Sequence, residues 1–308
     1  MSDSPGDMLA EPMLFDPTAP LTASGNLRRR AVLSDLIGIG ARAAALVAVA
    51  MLAIVVYGVV SRGASVLSFS FITTNPVGLA GGGIANALIG TFVLVAAAAI
   101  IAVPIGVLTG LYLTEFAGAR SRSGRALKLA LDLMQGLPTI VVGLFVYGLI
   151  VIPERKASGF AGAIALSIIM LPLVARASQE VLLLVPGSLR EAADALGVDR
   201  WRTVLTVILP VATGGIATGA ILATARAAGE TAPLLICDGI FNPNSTQLMI
   251  FGHGVPNIPL LIFTSSEVSI SGGFARAWGA AIVLLGAILI ANVGARVLLA
   301  RSRAKMGV

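Results

Sequence analysis

Between Ala43 and Ser61 the chain carries not one acidic or basic side chain. A run of that length matches the roughly 20 residues a helix needs to cross a bilayer, and it recurs. Further apolar runs lie near 86–113, 127–152, 160–184, 211–236 and 277–298. Within lipid, backbone N–H and C=O groups must be satisfied inside the segment, so runs of this length read as helices. The expected fold is an all-α integral membrane protein with six transmembrane helices. Composition agrees: 57% of residues are apolar and only 12% charged, against about 25% charged in a soluble domain.

The net charge of +6 is informative through its placement. Residues 1–27 hold Asp3, Asp7, Glu11 and Asp16 among Pro5, Pro12, Pro17 and Pro20, a composition that favours a disordered tail. The first apolar run starts too late and is too long for a signal peptide. With the N-terminus inside, fifteen lysines and arginines flank the inner ends: Arg28, Arg29, Arg30, Arg42, Arg120, Arg122, Arg125, Lys128, Arg190, Arg200, Arg202, Arg296, Arg301, Arg303 and Lys305. Four, Arg62, Arg155, Lys156 and Arg276, flank the outer ends. The bias predicts both termini in the cytoplasm. The layout is then a cytoplasmic tail over 1–42, a permeation domain over 43–300 and a short cytoplasmic tail over 301–308. The outer segment 238–275, with Asn242, Pro243 and Asn244, reads as a loop with a short amphipathic piece at the membrane interface.

One polar island interrupts this pattern on the inner side, from Pro186 to Pro210. Ser188 followed by Glu191 has the spacing of a capping box. Leu189, Ala192, Ala193 and Leu196 fall at i, i+3, i+4 and i+7, one face of the helix that box would start. Gly197 supplies a left-handed stop, and Asp199 is placed to cap a second helix running through Trp201 and Val204 to Pro210. The expectation is two short helices hinged at a glycine.

Two charge pairs lie inside the spans: Arg176 with Glu180, and Arg226 with Glu230. Spaced four apart, each pair is expected on one helix face. A charge at the bilayer centre costs roughly 2.5–3.5 kcal/mol, so such residues face a bundle interior or an aqueous path. Each pair reads either as a structural ion pair or, for Arg226 above all, as a contact for an anion in transit, since guanidinium matches oxyanion geometry. Asp132 and Glu115 are expected to be solvated or paired. Pro104, Gly106, Gly110, Gly136-Leu137-Pro138 and Pro172 are expected to bend their helices.

One cysteine, Cys237, allows no internal disulfide or cysteine metal site, and one histidine, His253, leaves no histidine triad. None of the three lysines follows a phosphate-loop pattern. The chain is therefore expected to bind no cofactor or metal and to catalyse no reaction. Any ATP-driven work would fall to another protein, for which residues 186–210 offer a docking point.

Glu191-Ala192-Ala193, three residues, Gly197, nine residues, then Val207-Ile208-Leu209-Pro210 resembles the EAA signature of ABC importer permeases, with Val207 where the pattern has isoleucine. Ala225-Arg226-Ala227-Ala228-Gly229-Glu230-Thr231-Ala232-Pro233-Leu234-Leu235 is similar to phosphate-importer permeases of the PstA type. So are Leu133 to Phe145, the Leu171-Pro172 region through Ser188, and Ala277-Trp278. The resemblance covers about 43–300 and implies a MetI-like type I importer fold.

By that resemblance, Ser188, Leu189, Glu191, Ala192, Ala193, Leu196 and Gly197 form the coupling helix that inserts into an ATPase, while Arg226 and Glu230, with Arg176 and Glu180 as candidates, line the translocation path. It implies inorganic phosphate as cargo and a bacterial inner membrane location. The implied partners are a PstC-type homologous permease, two copies of an ABC ATPase holding ATP and magnesium, and an extracytoplasmic phosphate-binding protein, with no nucleic acid. Alternatives are a permease for sulfate or molybdate, an autonomous anion channel or carrier, and a non-transporting scaffold.

Overall fold

The structure, a computed structural model, describes residues 25–78, 81–118, 121–239, 245–267 and 272–306. The tail over 1–24, Arg120 and Asn242, Pro243 and Asn244 lie outside the described residues. In chain order the helices are α1 (Gly25–Gly63), α2 (Phe69–Thr73), α3 (Ala85–Leu111), α4 (Arg122–Gly136), α5 (Thr139–Val146), α6 (Ile152–Glu154) and α7 (Gly159–Leu183). They continue with α8 (Gly187–Ala195), α9 (Arg200–Thr203), α10 (Leu209–Ala227), α11 (Ala232–Cys237), α12 (Ile258–Glu267) and α13 (Gly273–Met306). A two-residue ribbon pairs Pro76–Val77 with Gly81–Gly82.

Two compact units divide at Tyr57 and Gly58. The first contains most of α1, which begins upstream of the apolar run at 43 and takes in residues 25–27, expected to be part of the disordered tail. Its apolar side chains, Leu46, Met51, Ile54 and Tyr57 among them, are exposed, a surface suited to lipid or to another helix rather than to water.

Five uninterrupted stretches, 29–66, 85–116, 159–183, 200–227 and 273–297, are long and apolar enough to span a bilayer. The sixth, expected as one bent helix over 127–152, is instead two helical pieces meeting at 103°. Leu137 and Pro138 both adopt extended backbone there, as sterics before and at a proline dictate. The broken pair still traverses, because its contacts step along α7 in antiparallel order. Asp132 meets Arg176, Gln135 meets Pro172, and Val146 and Val151 pack with Ala161 and Ala165. Pro104 and Pro172, by contrast, sit inside continuous helices. Ahead of Pro153 and Pro210 the helix widens into π turns at Tyr147–Val151 and Val204–Ile208, which absorb the missing amide donor.

The second unit is built around α7. Leu166, Met170, Val174 and Leu182 on this helix are fully buried. Lipid is as apolar as leucine, so the contact is won by close backbone approach rather than by escape from water. A Cβ on Gly106 would stand 2.8 Å from Val174, and one on Gly110 2.8 Å from the Ala175 carbonyl. On the other flank, a Cβ on Gly215 would stand 2.6 Å from Val181, and one on Gly219 2.6 Å from Ala177. Two four-residue glycine repeats therefore clamp α7, and Gly106 and Gly110 act as contact points rather than bends.

The segment 238–275 is also more integrated than an interfacial loop. Ile258, Leu260 and Leu261 of α12 are buried, Ile258 and Leu261 in one cluster with Phe71, Ile84, Ala87 and Ala280. Asp238, 2% exposed, accepts hydrogen bonds from the Val255 amide at 2.8 Å and from Asn257 Nδ2 at 2.9 Å. The Ile258 amide donates to Thr91 Oγ1 at 2.8 Å, and the Phe160 amide to the Ile250 carbonyl at 2.7 Å. The apolar centre of this segment thus serves as core.

Candidate functional site

The polar loop after α7 begins differently from its sequence signature. Pro186 with extended ψ occupies the N-cap of α8, so Ser188 falls within the first turn and no side-chain cap forms. The Ser188–Glu191 capping box is absent because the helix starts ahead of it. Asp199 does sit at the N-cap of α9, but caps through its carbonyl, which accepts from Arg202 and Thr203. Gly197 behaves as expected, with φ +69°. The Val198 amide reaches the Ala193 carbonyl and the Gly197 amide reaches Asp194, the paired bonds of a Schellman stop. The helix that follows is long, since α9, its π turn and α10 form one crossing.

The apolar stripe on α8 divides. Ala193 is buried and Leu189 packs against Val204, Ile208 and Ala212, so both hold α8 to the bundle. Ala192 and Leu196 point away, Leu196 with 81% of its surface exposed. A further side chain that fixes α8 is Arg190, which is not on that stripe. Its guanidinium forks onto Glu115, with Nη2–Oε1 at 2.7 Å, and donates to the carbonyls of Leu182 and Val185. Glu115 is 2% exposed. The hydrogen bond to Glu115 raises the Arg190 pKa above its already high ordinary value. One arginine thereby joins the ends of α3 and α7 to α8.

Neither intramembrane pair forms as spaced. Arg176 turns to Asp132 on α4 and to Gln179 Oε1 at 3.1 Å, while Glu180 is exposed on the same helix. Arg226 and Glu230 do not share a helix, because α10 ends at Ala227 and Glu230 lies past a turn. Among the described residues, ion pairs form only at Arg176 and Arg190.

Arg226 therefore stands without an acid, and it lines a cavity of about 180 Å³ together with Gln135, Thr139, Ile169 and Pro172. The cavity exists because the crossing is broken. Ending α4 at Gly136 and restarting at Thr139 opens a gap against α7 and exposes the start of α5. Pro138 provides no side-chain cap, and the Val141 and Val142 amides already turn back to its carbonyl. The amides of Thr139 and Ile140 thus have no intrahelical acceptor. A helix N-terminus with free amides attracts anions, and Arg226 faces the same space. Gln135, also lining the gap, is anchored through Nε2 to the Pro172 carbonyl at 3.3 Å. At about 30 Å³ per water, the space suits a small oxyanion with water around it. Gln135 and Thr139 had a sequence signal, since a Gly/Pro interruption in an apolar span marks ligand sites in transporters. Arg176 sits one turn along, fastening α4 to α7 beside the cavity.

The family of binding-protein-dependent transport system inner membrane components matches this chain over residues 102–304. Among curated proteins, the phosphate transport system permease protein PstA 1 of Mycobacterium tuberculosis is 41% identical over 215 residues, 70% of this chain and 69% of that protein. PstA of Yersinia pestis is 37% identical over 251 residues, 81% of this chain and 84% of its own length. Among solved structures, the inward-facing MetNI methionine ABC transporter superposes with a TM-score of 0.55 at 17% identity, covering 71% of this chain and 94% of that one.

Proposed function

The chain belongs to the family of binding-protein-dependent transport system inner membrane components, and from that premise we propose that it is the permease subunit of an ATP-driven importer for inorganic phosphate. The phosphate permeases among its relatives support the cargo. The observation that carries the reading is Arg226, an arginine at the end of the α10 crossing with no acid partner among the described residues, lining one cavity with Thr139 at the uncapped start of α5. Guanidinium and free amides together supply donors to a tetrahedral oxyanion.

The fold of the MetNI neighbour supports a type I importer arrangement, with both termini cytoplasmic as the lysine and arginine bias requires. The remaining parts are a homologous PstC-type permease, two ABC ATPases carrying ATP and magnesium, and an extracytoplasmic phosphate-binding protein. This chain performs no hydrolysis itself. The exposed side of α8, with Ala192 and Leu196, docks the ATPase. Motion there reaches the bundle through Leu189, Ala193 and the Arg190–Glu115 fork, which pulls on the ends of α3 and α7 together.

The test is uptake of radiolabelled phosphate in cells whose only permease of this type carries Arg226→Gln. Uptake should be abolished while the variant still co-purifies with its ATPase. Uptake at the normal rate would remove Arg226 from the path, and uptake blocked by excess sulfate would reassign the cargo.

A further inference from the structure

A second arginine meets the chemistry of an anion site away from that path. Arg276, in the first turn of α13, is 2% exposed. Its Nη2 donates to the Gly83 carbonyl at 3.3 Å, and its Nε and Nη1 have no partner. A guanidinium stays charged, so this is a buried cation with two unused donors and, among the described residues, no acid beside it. Burying such a group without compensation is costly. The side chain lines a cavity of about 400 Å³.

Hydroxyls of an exposed segment line it too. Ser68, Ser70 and Thr74 border the same cavity. Ser68 Oγ accepts the Phe71 amide, and Ser68 and Ser70 share one hydrogen bond at 2.9 Å. One hydroxyl proton closes that bond, so the other remains free to donate into the cavity. Thr74 is committed to the Ser70 carbonyl. We propose that Arg276, with the Ser68–Ser70 hydroxyl pair, forms a binding site for a phosphate-class oxyanion at the end of the bundle away from α8.

This site is distinct from the cavity at Arg226. Gly229, just past Arg226, lies beside Ile288, and Arg276 is about 18 Å further along α13 at 1.5 Å per residue. The occupant is either free phosphate or the phosphate of a lipid headgroup. Both present tetrahedral oxygens to a guanidinium fork.

The experiment uses the full chain with its co-purifying subunits in nanodiscs, in an Arg226→Gln background that removes the other site. In phosphatidylcholine discs, bound radiolabelled inorganic phosphate that disappears on adding Arg276→Met assigns free phosphate. If no phosphate binds, native mass spectrometry of discs containing phosphatidylglycerol is the second arm. A retained phosphatidylglycerol lost in the same variant assigns the lipid headgroup. Binding of neither ligand, or binding that Arg276→Met leaves intact, overturns the proposal. Should that variant fail to assemble, Arg276→Lys keeps the charge without the fork and should bind about tenfold more weakly. Ser70→Ala should weaken binding a few-fold, and unchanged affinity in both overturns the proposal equally.

Discussion

Two arginines packed against a neighbouring element meet acids, and two that line cavities do not. Arg190 forks onto Glu115, and Arg176 onto Asp132. Arg226 lines one cavity and Arg276 another, each without a carboxylate among the described residues. The difference does not follow local sequence, because Arg176 and Arg226 each have a glutamate four residues on and neither uses it. It follows which residue the neighbouring element supplies. An arginine that receives a carboxylate from another helix becomes a fastener. One that lines a cavity and receives none keeps its charge without a carboxylate.

Loss of uptake at Arg226 is the largest effect this contrast expects, and the fastener at Arg190 is the next. Arg190→Met strands Glu115 as a buried, unpaired carboxylate and releases the Leu182 and Val185 carbonyls. Removing one partner of a buried pair costs about 3–5 kcal/mol. The expected result is a markedly lower unfolding temperature and ATPase activity no longer stimulated by substrate. Adding Glu115→Leu should restore much of the stability, since no charge is then stranded, but not the stimulation. If the single variant is as stable as the parent, Arg190 is not a fastener and the division between paired and cavity-lining arginines fails.

Asp238 sharpens the contrast from the other side, as a buried acid without a cation. Burial raises its pKa to about 7, against the hydrogen bonds from Val255 and Asn257 that favour the carboxylate. A carboxyl whose folded pKa lies above its unfolded value of about 3.9 contributes stability at low pH that is lost as pH rises through about 7. The 238–275 segment should therefore loosen by on the order of 1–2 kcal/mol between about pH 6 and about pH 8. Hydrogen exchange at Val255 and Ile258, corrected for intrinsic rates, reads it directly. Asp238→Asn should flatten that dependence; an unchanged pH slope would assign it to another group.

How much of this was legible follows from how local each signal is. Gly197 needed only its own backbone, and its left-handed stop was correctly read. The helix starting at Gly187 was misjudged because Pro186 outranks Ser188 as a boundary. Ala193, expected on a docking face, is buried against the bundle, while Ala192 and Leu196 from the same stripe are exposed. The six apolar runs were readable from length alone and Gly136-Leu137-Pro138 was read as a bend, but that the chain breaks there while Pro104 and Pro172 leave their helices intact was not. What distinguishes them is an extended Leu137 and the cavity it leaves beside α7. Arg176 and Arg190 find partners 44 and 75 residues away, a tertiary fact no spacing rule encodes.

The smallest expected effect tests whether every acid-paired arginine is equally a fastener. Asp132 has 59% of its side chain exposed and Arg176 27%, against 2% for Glu115. An exposed pair contributes about 0–1 kcal/mol, and Arg176 keeps its hydrogen bond to Gln179 when Asp132 is changed. Asp132→Asn should therefore shift the unfolding temperature barely at all. Asp132 nevertheless lies one turn from Gln135, on the helix whose end walls the Arg226 cavity. A loosened α4 should show as a higher KM for phosphate with little change in maximal rate. A large stability loss would mean that the exposed pair carries weight as the buried one does, and the ranking by burial would be wrong.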